Sequence, residues 1–165
     1  MRWAENINGT LAWVAAALFV ATGAMLSYEV TARYFFTAPT IWAAELSQMS
    51  LIWGSLLAMP WLLQARRHIT VTAITSLLSA RIRAMLEVLA MIVVLAFSLI
   101  VTIWGWEIFY DSFVRGRTTG SLLNLPIWIV ELSIPVGFAL LSVQAIIEIF
   151  RVIRHGPTST DVIHE

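Results

Sequence analysis

Glu29 and Arg33 stand four residues apart, so a helix places them on one face with the acid on the N-terminal side, the better order for such a pair. A turn through 36–39 follows. Thr40 is then suited to cap a second helix, and Trp42 and Glu45 lie in that helix's first turn. The hairpin therefore presents an acid–arginine–acid set of Glu29, Arg33 and Glu45, with Trp42 beside it. Ionisable groups at the edge of apolar segments are costly unless paired or solvated, which makes this set a functional candidate. Two chemistries fit it. Either Arg33 ties the two helices together or meets a partner subunit, or the acids line a proton or ion path.

Other polar groups carry less. Glu107 and Asp111 are again four apart, followed by Arg115 and Arg117, an arrangement suited to a solvated helix end or a docking contact. Glu131 follows Pro126 closely enough to face the same polar layer as the hairpin. Ser50, Gly54 and Ala58 put a small residue on every fourth position, which allows close helix packing. Pro135 and Gly137 are expected to loosen their helix locally. His68, His155 and His164 all fall outside apolar segments, so no haem site is expected. With no cysteine, no phosphate-binding glycine loop and no nucleophile–base pair, the sequence offers an enzyme nothing to work with, and no cofactor or metal is expected.

These groups must be positioned by something, and composition says what. Of 165 residues, 59% are apolar and 12% charged, about half the charge of a soluble domain. Uncharged runs at 11–28, 46–63, 88–106 and 132–147 each reach roughly 24–28 Å as helix, and flanking residues complete a ~30 Å hydrocarbon core. Backbone in lipid must satisfy its own hydrogen bonds, so the expected fold is all-α and integral to a membrane, a single domain of four transmembrane helices. The spans are expected at about 10–34, 41–65, 82–110 and 124–150. A polar tail follows at 156–165. Arg2 and the small residues at 21–24 superficially match a secretory signal, but the apolar run continues to Tyr28, so a retained helix is expected.

All ten basic residues are arginines, and they balance ten acids, so no nucleic acid partner is expected. With the N-terminus inside, Arg2, Arg66, Arg67, Arg81, Arg83, Arg151 and Arg154 lie inside and only Arg33, Arg115 and Arg117 outside. That distribution puts both termini in the cytoplasm. Tyr34, Phe35, Phe36, Trp42, Trp104, Trp106, Tyr110, Phe113 and Trp128 gather on the outer side, as an interfacial belt would. Between spans two and three, segment 69–80 alternates apolar and hydroxyl residues at helical spacing. A short amphipathic helix on the inner leaflet is expected there, with Arg66, Arg67, Arg81 and Arg83 contacting anionic headgroups.

The hairpin 29–45 as a whole, acid, Arg-aromatic, Pro, Trp and second acid, resembles the signature of the small membrane (Q) subunit of tripartite ATP-independent periplasmic (TRAP) transporters, the DctQ-like family. Arg67-His68-Ile69, the segment 121–128 and Pro135-Val136-Gly137 resemble that family too, and the likeness covers about residues 5–155. The family often has Asp after the His-Ile step. Thr70 and Thr72 stand there here, so no acidic role in the inner loop carries over.

The resemblance implies a small permease subunit in a bacterial inner membrane. It would scaffold a large membrane (M) subunit for sodium-coupled import of an organic acid delivered by a periplasmic substrate-binding protein. It implies no direct small-molecule substrate for this chain, and it makes Arg115 and Arg117 candidates for docking the binding protein. Two other readings stay open. A small proton-coupled multidrug exporter needs a lone acid deep in helix one, and 11–28 has none. A respiratory-enzyme anchor needs haem or quinone ligands within its spans.

Overall fold

The computed structural model describes residues 2–65, 80–121 and 123–155. Four helices account for most of them: α1 Arg2–Phe36, α2 Ala43–Ala65, α3 Ala80–Arg115 and α4 Trp128–His155. Each contains one of the apolar runs, and each is long and apolar enough to cross a membrane. At 1.5 Å per residue, α1 with 35 residues and α3 with 36 reach beyond 50 Å. That exceeds the ~30 Å hydrocarbon core, so both tilt or project from it.

The helix ends differ from the expected spans for local reasons. The first helix starts at Arg2 because nothing between Arg2 and Leu11 stops a helix except Gly9, which only weakens one. It ends where Thr37 takes a left-handed conformation (φ 52°) and the Ala38 amide closes back on the Ala32 carbonyl. The third helix runs on to Arg115, so Glu107 and Asp111 lie well inside it. It ends at Gly116 (φ 58°), with the Arg117 amide on the Ser112 carbonyl at 3.1 Å, the Schellman arrangement that glycine permits. The fourth helix begins at Trp128 rather than near 124, because 117–119 and 124–127 pair with one another in a tight hairpin-like arrangement. There the Ile127 amide meets the Arg117 carbonyl, the Thr119 amide meets the Leu125 carbonyl, and Asn124 turns at φ 50°.

The helices pack in the order α1, α2, α4, α3. Helices α2 and α4 run parallel, since Gly137 faces Leu56 while Gln144 and Gln64, each about two turns further on, share a partner. One glycine sits at each interface. Gly54 faces the Ala15 carbonyl and Leu18 on α1, Gly137 approaches Leu56 on α2, and Gly105 lies against Ile134 and Pro135 on α4. The packing expected of Gly54 is present. Gly137 lies inside the continuous helix α4, where that helix presses on α2. Hydroxyls and an indole join the same seams: Ser142 donates to Ser98 at 2.9 Å, and the Trp53 indole N–H to the Ile129 carbonyl at 3.1 Å. The expected amphipathic helix at 69–80 and the contacts of Arg66 and Arg67 lie outside the described residues. Arg81 and Arg83 belong to the first turn of α3, but their side chains are also outside them.

Candidate functional site

At the hairpin end, α1 holds Glu29 and Arg33 one turn apart, and the guanidinium meets the carboxylate as expected, with Nε 3.1 Å from Oε1 and Nη2 on the same oxygen. The other carboxylate oxygen is taken by Thr40, whose backbone N–H donates at 2.8 Å and whose hydroxyl donates as well. Thr40 does not cap α2. That helix starts three residues later, with the Leu46 amide on the Trp42 carbonyl. A hydroxyl that donates to a carboxylate can still accept from a helix N–H, so it is the later start of the helix, with Trp42 at its cap position, that takes Thr40 out of the capping role.

Glu29 is buried while the Arg33 side chain remains 60% exposed, so the pair points one way: a satisfied anion inside and a cation with free surface outside. Four donors fill the acceptor capacity of a carboxylate, leaving Glu29 no lone pair for an ion. Glu45 does not complete the acid–arginine–acid set. Among the described residues its Oε2 is buried without a hydrogen-bond partner, and Arg33 pairs with Glu29. Trp42 stacks on Tyr28 across the turn, ring centroids 6.0 Å apart. The next aromatic residues, Tyr34, Phe35 and Phe36, are all strongly exposed.

Arg115 and Arg117 converge on one group. Asp111 takes Arg115 Nε on Oδ1 at 2.6 Å and Arg117 Nη2 on Oδ2 at 2.9 Å. Arg115 reaches it from one helical turn away, and Arg117 from the Schellman turn beyond Gly116. Both arginines stay about half exposed or more. Glu131 lies in the first turn of α4, and among the described residues its Oε2 is buried without a partner, as is the hydroxyl of Ser112. Phe109, Phe113 and Trp128 pack edge to face or tilted over this end of the α3–α4 seam.

A second polar group at the opposite end was not anticipated. Asn8 on α1 donates from Nδ2 to Gln64 on α2 at 2.7 Å and to Gln144 on α4 at 2.8 Å. Gln144 donates on to Glu148 at 3.1 Å, and Arg151 donates to the same Glu148 oxygen at 3.3 Å. Asn8, Gln144 and Glu148 are all at least 95% buried. The signal available in the sequence was weak: three amide side chains near the ends of apolar runs, and an acid and an arginine three apart.

Four membrane-length helices, with polar side chains spent on joining helices to one another, define an integral membrane component. Residues 22–155 match the family of tripartite ATP-independent periplasmic transporters, DctQ component, so the chain belongs to that family. It is also 24% identical over 150 residues to the sialic acid TRAP transporter permease protein SiaT of Haemophilus influenzae (strain 86-028NP). That match covers 91% of this chain and 23% of the relative, so the chain spans about a quarter of the length of the curated relative it matches. The chain is thus a multi-pass small permease component of a TRAP transporter, a family of transporter parts rather than enzymes. The exporter and respiratory-anchor readings fall with that membership.

Proposed function

We propose that this chain scaffolds a large membrane subunit that imports an organic acid on a sodium gradient, with substrate delivered by a periplasmic binding protein. The family match over 22–155 carries the reading. The relative is in keeping with it, being a permease about four times the length of the matched segment. Sialic acid, named for that relative, is itself an organic acid, but 24% identity does not extend that substrate to this chain.

The hairpin supports a structural part in this machine. Glu29 is saturated by Arg33 and Thr40, which suits a tie between α1 and α2 and not an ion path. The exposed face of Arg33, beside Tyr34, Phe35 and Phe36, is the surface offered to the large subunit. Trp42 holds the turn, and Glu45, whose Oε2 lacks a partner among the described residues, is placed to receive a donor from that subunit. Arg115 and Arg117 form the contact for the binding protein, and both termini are cytoplasmic in the bacterial inner membrane. The four helices form one domain.

The test is reconstitution. Vesicles holding this chain, its large subunit and the binding protein are expected to accumulate an organic acid only under an inward sodium gradient. Uptake that persists when sodium is replaced by choline removes the coupling ion from the proposal. Saturable, competable binding of the acid to this chain alone removes the scaffold role.

A further inference from the structure

The buried group at the end opposite the hairpin has a direction. Glu148 takes hydrogen bonds from Arg151 and Gln144, and a carboxylate paired with arginine can only accept. Gln144 must therefore turn its NH2 toward Glu148, which leaves its carbonyl oxygen facing α1. Asn8 must then present its own NH2, and the second hydrogen of that group goes to the Gln64 carbonyl. Each amide's orientation follows from the one before it, starting from a single charge.

We propose that Asn8, Gln64, Gln144, Glu148 and Arg151 form a charge-directed polar clasp that locks α1 against α2 and α4 in one register. The apolar seams cannot do this alone. Gly54 on α2 meets the Ala15 carbonyl, Leu18 and the Phe19 ring of α1, contacts that set how closely the two helices approach but leave no polar group unpaired when the register shifts. A buried amide that loses register leaves donors and acceptors unpaired in a medium without water, so only one alignment satisfies all of them. The five residues act as positioning residues, and the clasp is independent of which partner or solute the transporter handles.

Because the clasp is directional, it can be reversed. Asn8→Asp puts an acceptor where the chain needs a donor, and Gln144 cannot turn to meet it while Glu148 holds its NH2. Adding Glu148→Gln moves the charge from one end to the other. Gln144 is then free to donate to position 8, taking a hydrogen bond from the new amide at position 148, which still accepts from Arg151. Gln64→Glu, in contrast, keeps an acceptor where an acceptor is needed.

The chain has no cysteine, so spin labels at Ile7→Cys and Ile153→Cys, both exposed sites, report the distance between α1 and α4. Four full-length proteins in detergent are compared: the parent, Gln64→Glu, Asn8→Asp and Asn8→Asp/Glu148→Gln. The expected result is one narrow distance for the parent, Gln64→Glu and the double variant, and a broad distribution for Asn8→Asp. Asn8→Asp is also expected to lower Tm by about 5 °C or more, with at least half regained in the double variant. If Asn8→Asp does not reach the membrane, recovery of the double variant at parental yield supports the clasp. A double variant as impaired as Asn8→Asp, or an Asn8→Asp variant that matches the parent, overturns it.

Discussion

Arg33 has two nitrogens on one buried oxygen and most of its remaining surface exposed, so what it does for Glu29 and what it offers a neighbour separate. Arg33→Ala leaves Glu29 with Thr40 alone and strips the exposed cation. It is expected to reduce the large subunit that co-purifies with this chain severalfold while leaving the preference among substrates unchanged. Arg33→Lys should recover only part of the loss, because an ammonium cannot reproduce a planar two-nitrogen contact. Arg115→Ala is the comparison: Asp111 keeps Arg117, so co-purification should match the parent. If Arg33→Ala assembles normally, the hairpin is not a subunit contact. Thr37 makes a different point at the same scale. A β-branched residue at φ 52° is disfavoured by ~1–2 kcal/mol, so Thr37→Gly is expected to raise thermal stability by about 1 kcal/mol.

Helices here are held at the glycines, and the glycines are not equivalent. A methyl group on Gly137 would lie 2.7 Å from the Leu56 Cβ and 3.3 Å from its carbonyl oxygen, backbone that cannot step aside. Gly137→Ala is expected to cost roughly 1–3 kcal/mol by overpacking the α2–α4 seam. At Gly9 and Gly23 the same methyl group meets nothing within 4 Å. Either change to Ala should stabilise the isolated chain by up to about 1 kcal/mol, the usual gain of replacing a helical glycine. Thermal unfolding of the purified variants in one detergent checks both signs. A neutral Gly137→Ala would mean that α2 and α4 do not approach as closely as the structure has them.

The molecule as a whole is a row of helices rather than a ring around a core, with α1 and α3 at its two flanks. Such an arrangement buries little of its own surface: a third of the apolar window of α4 is buried, but only 6% of that of α3. The remainder is covered by lipid or by other protein, in keeping with a component of a larger permease. The proposed sidedness rests on the arginines. In a chain without cysteine, Ser121→Cys in the α3–α4 loop should react with a membrane-impermeant maleimide added to intact spheroplasts. Thr158→Cys should react only after lysis. The same behaviour at both sites would contradict the single crossing by α4 that separates them, and the reverse pattern would invert the orientation.

How far each feature could be read ahead depends on the distance over which it is determined. The four spans were legible because lipid imposes a single requirement on every residue of a crossing segment, and unbroken apolar runs meet it. The Glu29–Arg33 pair was legible because a helix alone puts neighbours four apart in contact. Likeness at the hairpin carried the family, which the match over 22–155 then established. Ser98 and Gly105, seven residues apart, both meet α4, a seam that could have been found the same way.

Other features needed the third dimension. Whether Thr40 caps α2 or serves Glu29, and whether Glu45 reaches Arg33, depends on how tightly the turn at Thr37 brings two helices together, which no local spacing states. The clasp lies further still from local rules. Asn8 and Gln144 are 136 residues apart, and each alone is an unremarked amide at the end of an apolar run. Sequence by itself determined which segments enter the bilayer, because that is a contest between each side chain and its solvent. Only the tertiary structure decided which polar groups meet inside, because hydrogen bonds act over about 3 Å and the partners are chosen by how whole helices pack.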